Sequence, residues 1–146
     1  MENNNNLEAK ALGKVYHTAA VLCEYLNCIL KKVTDKDLTR EITHIVMKTC
    51  EFSDKASNEI HRLGEVPEEL SKMKKNAITT ATAINTMFGT SLGGLCDLIA
   101  VELKKAECEL RDIKNTDIRF SDRFYAIVGD FAEFCAVSRE SVSAFS

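Results

Sequence analysis

Apolar side chains return every three or four residues along almost the whole chain, a period that belongs to one face of an α-helix. Leu12, Val15, Ala19, Leu22, Leu26, Ile29 and Val33 predict a helix over roughly residues 7–33. Thr34 and Asp35 then supply a break and an N-cap. A second series, Leu38, Ile42, Ile45, Thr49, Phe52, Ala56, Ile60 and Leu63, predicts the next helix, ending at Leu63-Gly64 with Pro67 just beyond. Two helices of similar length joined by a short loop pack as an antiparallel hairpin.

The third series is longer: Leu70, Met73, Ala77, Ala81, Ile84, Phe88, Leu92, Leu95, Ile99, Leu103, Ala106, Leu110 and Ile113. Read as one helix it would reach about 67 Å, far beyond the roughly 40 Å of its companions. The patch Gly89-Thr90-Ser91-Leu92-Gly93-Gly94 argues for two, since glycine inside a helix costs up to about 1 kcal/mol. The expectation is a Thr-rich helix over 67–88, with Pro67 in its first turn, a break near Gly89–Ser91, and a fresh helix over 91–113 capped by Ser91. Asn115, Thr116 and Asp117 make the next stop. A last helix follows with Phe120, Phe124, Ile127, Phe131, Phe134, Val142 and Phe145, and this concentration of phenylalanine predicts that it lies at the centre of the core. No β-type alternation occurs.

A length of 146 residues is that of one domain, and 45% hydrophobic with 28% charged residues excludes bulk disorder. The net charge of −3 and the dilution of each Lys-Lys pair by nearby acids speak against a nucleic-acid or anionic-membrane surface. Residues Asn76 to Cys96 form an uncharged run of about twenty, but its Thr, Asn and Ser would be costly in lipid, so no membrane span is read. Met1 to Asn6 lacks the basic and apolar regions of a secretory signal and is expected to be a disordered polar tail, leaving 7–146 as the single helical domain. Cytoplasmic localisation is the corresponding expectation. None of the six cysteines forms a Cys-x-x-Cys pair, and in that setting all six are expected to be free. Cys28 and Cys108 stand off the apolar stripe and are the candidates for a thiol-based redox sensor.

No nucleophile elbow and no phosphate loop is present. The one constellation with metal chemistry is Glu41-Ile42-Thr43-His44, an i, i+3 pair that can present carboxylate and imidazole to one ion. Glu102 flanks the stripe of its helix and could complete the set. Glu24 is the remaining candidate, though at 100° per residue it points about 200° away from Leu22. The last helix has no histidine, so a second Glu-x-x-His is missing.

The turn His61-Arg62-Leu63-Gly64-Glu65-Val66-Pro67 resembles the end of the second helix in ferritin-like proteins, where a His precedes a Leu-Gly-x-x-Pro turn. Ala83-Ile84-Asn85-Thr86-Met87, then Ser91 and the small-residue helix to Leu103, is similar to the third-helix region of small ferritin-like bundles. The resemblance implies an all-α, up-down four-helix bundle with an additional crossover helix, residues 67–88, between the second and third core helices. Where such families keep acids and histidines, this chain has Leu92, Gly93, Gly94, Ala132 and Phe134.

The reading that follows is a non-catalytic helical-bundle protein that self-associates or binds protein. Its dimer face would be the uncharged stretch from Thr79 to Gly94, with no cofactor. The alternative is a di-metal protein or oxidase holding iron or another divalent ion through Glu41, His44, Glu102 and Glu24.

Overall fold

Four side chains turn extended backbone into helix. Asp35, Ser71, Ser91 and Ser121 each accept a hydrogen bond from the backbone N–H three residues on, at 2.8, 3.1, 3.1 and 3.3 Å. They open α2 (Lys36–Arg62), α3 (Lys72–Asn85), α4 (Leu92–Lys114) and α5 (Asp122–Ser143), which follow α1 (Asn4–Leu30). The computed structural model describes residues 4–87 and 91–145, all-helical with no strand among them. At the end of α2, Gly64 takes φ +87°, and its N–H bonds to His61 O at 2.9 Å while Glu65 N–H bonds to Ile60 O at 3.1 Å. That is the paired closure expected of a glycine just past a helix end.

The long third series is two helices, as the glycine patch suggests, and Ser91 is the cap of the second. Other boundaries move. The first helix begins at Asn4, inside the stretch expected to be a tail. The third is shorter than 67–88, because residues 65–71 are non-helical and Ser71, not the Pro67 turn, satisfies the first free N–H groups. Phe120 and Phe145 flank α5 rather than belong to it. Met1–Asn3, and the expected break at Gly89 and Thr90, lie outside the described residues.

The buried apolar cluster draws on α1, α2, α4 and α5, with Phe124 and Phe131 its largest fully buried side chains. Phe52 of α2 stacks on Phe131 of α5 at 4.8 Å and 7° between planes. The helix that touches all the others is α1, so it, rather than α5, holds the central place.

Contacts along each pair give the directions. Between α1 and α4, Thr18 donates to Glu109 at 3.1 Å and Tyr25 feels the charge of Glu102, so numbers rise on one as they fall on the other. Between α2 and α5, Phe52 meets Phe131 and Glu59 meets Arg123. Between α4 and α5, Glu107 meets Arg139 at 2.8 Å and Lys114 approaches Gly129. All three pairs are antiparallel. The short loop at residues 31–35 makes α1 and α2 antiparallel as well.

Among the described residues α3 packs against α1 alone. Its segment runs in the same direction as α1, since Glu69 accepts from Tyr16 Oη at 2.9 Å and Thr79 Oγ1 lies 3.7 Å from Cys28 Sγ.

Candidate functional site

The inward face of α3 consists of Ile78, half-buried, and Thr82 and Thr86, buried. Both threonine hydroxyls donate to the carbonyl four residues back, Thr82 to Ile78 at 2.8 Å and Thr86 to Thr82 at 2.9 Å. Small side chains that satisfy their own hydroxyls let α3 lie close on α1 with no polar group stranded.

The apolar series expected to face the core on this helix does the opposite. Met73 is 82% exposed, Ile84 59% and Met87 62%, with Ala77, Thr80 and Ala81 exposed beside them. At 100° per residue, Met73, Ala77, Thr80 and Ile84 form one stripe about 180° from Thr82, and Met87, just past the helix end, is exposed as well. The stripe's steps of four, three and four keep it on one face of the helix. No charged residue occurs from Asn76 to Met87.

The distribution of exposed apolar groups singles out the same region. Five of the nine large exposed hydrophobics among the described residues fall between Val66 and Leu92. Met47, Val101, Ile118 and Val137 are scattered elsewhere, as on any protein surface. The sequence expectation of a contact face over Thr79 to Gly94 therefore needs correcting in detail. Thr82 and Thr86 point at α1, and the outward seam begins earlier, at Met73.

Where residues 65–71 lie over the first half of α1, a cleft of about 640 Å³ opens between Ala9, Gly13 and His17 on one side and Pro67, Glu68 and Ser71 on the other. Burial and the neighbouring Glu69 carboxylate raise the pKa of Tyr16, whose hydroxyl pins this segment to α1. The cleft is half open and mixed in lining.

The candidate metal ligands are not brought together. Glu41 and His44 lie on α2, and His44 is exposed, its ring edge-on to Phe134 at 6.3 Å. Glu102 lies on α4, largely covered, bonded to Lys105 at 3.3 Å. With burial, its charge pushes the Tyr25 phenol up to about 12. Among the described residues α2 and α4 do not touch, so Glu102 stands on a helix separated from Glu41 and His44. Glu24 is half-buried on α1, next in sequence to Cys23. Among the described residues no three of His, Cys, Asp or Glu stand close enough to share an ion.

All six cysteines are free thiols. Cys108 is exposed as expected, but Cys28 is half-buried against Thr79. The residue missed is Cys50, exposed on α2 with its Sγ 3.7 Å from Cys23 Sγ on α1. Among the described residues no helix is long and apolar enough to cross a membrane. No protein-family model, curated protein or solved structure matches this chain.

Proposed function

We propose that this chain is a non-catalytic helical bundle of ferritin-like topology that self-associates through the outward seam of α3. The observation that carries the reading is the orientation of that helix: Thr82, and Thr86 at its C-terminal cap, face their own protein, whereas Met73, Ile84 and the following Met87 face out. Leaving apolar area of this kind in water forfeits about 25 cal/mol per Å² that a partner would recover.

A second copy is the occupant that the charges favour. Lys72, Lys74 and Lys75 sit in the first turn of α3, at the positive end of its own dipole, and the helix has no acidic residue there. Antiparallel docking of another α3 would bring a negative helix end beside those lysines. Parallel docking would instead set three lysines against three.

The ferritin-like part of the reading is supported by the helix directions. Since α2 and α4 both run antiparallel to α1, they run parallel to each other, and the chain must return along the molecule between them. The contacts of α3 with α1, in the same direction, support reading it as a crossover helix. A carboxylate-bridged metal centre draws no comparable support, because among the described residues no three of His, Cys, Asp or Glu stand close enough to share an ion.

Sedimentation or light scattering at micromolar to high-micromolar concentration tests the proposal. The expected mass is twice the 16.3 kDa of the chain. Ile84→Glu and Met73→Glu should each yield folded monomers with an unchanged helical circular-dichroism spectrum, because neither side chain is part of the core. A wild-type monomer throughout that range, or a dimer indifferent to both substitutions, would overturn it.

A further inference from the structure

Two thiols on different helices meet at the α1–α2 interface, Cys23 Sγ and Cys50 Sγ 3.7 Å apart, with one half-buried and the other open to solvent. We propose that Cys23 and Cys50 are a modification site: a dithiol pair that low-molecular-weight disulfides of the glutathione class convert reversibly to an internal disulfide. The geometry divides the labour. Cys50 is reachable from solution, whereas Cys23 lies behind it, within van der Waals distance of its sulfur.

In the first step the Cys50 thiolate attacks one sulfur of the small disulfide. That S–S bond breaks, a small thiolate leaves and takes up a proton, and Cys50 holds a mixed disulfide. In the second step Cys23 gives up its proton and attacks Cys50 Sγ, and the mixed bond breaks to release the second small thiol. Two protein thiols are oxidised, one small disulfide is reduced to two thiols, and the two protons lost from the protein are carried away on them. Burial and the neighbouring Cys50 push the Cys23 thiol up to about 12, which agrees with the geometry in making Cys23 the resolving thiol rather than the first to react. The remaining thiols lack a partner sulfur at this distance: Cys28 approaches only Thr79, Cys96 and Cys135 are buried in α4 and α5, and Cys108 is exposed by itself.

The experiment treats the reduced full chain with oxidised glutathione, quenches with an alkylating agent and maps the products by mass spectrometry. Combined cleavage after lysine and after glutamate separates Cys23 from Cys28, because Glu24 lies between them. The expected product has lost two hydrogens, joins the Cys23 and Cys50 peptides, and leaves Cys28 alkylated. In Cys23→Ser the glutathione adduct on Cys50 should persist. In the wild type it should resolve at least about tenfold faster than it is lost from Cys23→Ser in millimolar glutathione, because the second thiol is already in place. The oxidised chain should melt on the order of 10 °C higher, since the bond ties two helices across a closed loop. Should Cys23→Ser fail to fold, Cys50→Ser, altered at an exposed position, serves: it should form neither the internal bond nor an adduct on Cys23. A lasting Cys50 adduct in the wild type, or linkage of Cys50 to any other cysteine, would overturn the proposal.

Discussion

Glu59 and Glu107 each accept from two arginines, one on the same helix and one on α5: Arg62 and Arg123 for the first, Arg111 and Arg139 for the second. Hydrogen bonding from Arg62 holds the Glu59 carboxyl below its ordinary value. Burial opposes the same shift at Glu107, but Arg111 and Arg139 together prevail. A carboxyl lowered in the folded state binds fewer protons there than in the unfolded chain. Its stabilisation is therefore complete above the unfolded pKa and fades as pH falls through the folded one. Glu107→Gln should cost about 1–2 kcal/mol at pH 7 and should flatten the loss of stability between about pH 5 and pH 3, as measured by urea denaturation at each pH. At this scale the sequence shows which residues share a helix face but not which faces meet. Glu41 and His44 are legible as an i, i+3 pair, yet nothing in the spacing tells that Glu102 stands on a helix that α2 does not touch. Cys23 and Cys50, 27 positions apart, carry no local signal at all.

At the scale of elements, two features were written plainly. The inward series of α1 and α2 is buried as expected, from Leu12 to Ile29 and from Leu38 to Ile60. The stops at Asp35, Gly64, Ser91 and Asn115 are read from residues whose side chains or backbone satisfy free helix ends. Gly64→Ala tests one of them. An added Cβ meets nothing within 4 Å, so the whole effect is that of forcing φ +87° on an L-residue. About 1 kcal/mol of stability should be lost, seen as a lower denaturation midpoint with an unchanged slope. The third helix was misread for a physical reason. Periodicity identifies an apolar side but not what covers it. On α3 the face against the protein is Ile78 with Thr82 and Thr86, whose hydroxyls are spent on the backbone, and in sequence such threonines suit a second copy as well as α1.

For the molecule as a whole, the most extensive packing is within the two hairpins, α1 with α2 and α4 with α5, while α3 rides on α1. Each hairpin has its own short loop and its own closely fitted interface, and the two meet along α1–α4 and α2–α5. The all-helical class followed from the period of the sequence, and the division of the third series from its glycines and Ser91. The pairing of the hairpins did not, because it depends on Thr18 finding Glu109 and Phe52 finding Phe131 across long separations. Two fragments, residues 1–87 and 88–146, each retain one complete hairpin. Co-expressed with a tag on one of them, they should elute together, whereas a cut inside α4 should leave nothing for the tag to bring down.

The direction of α2 relative to α4 has a practical corollary. The end of α2 and the start of α4 lie at opposite poles, so whatever joins them is a tether with a length to cover. Trimming it to a few residues would leave the second half unable to reach its berth on the same chain, and a neighbouring molecule's half would fill the place instead. Exchange of halves between copies is thus the failure this protein is built to meet first when that tether is cut short.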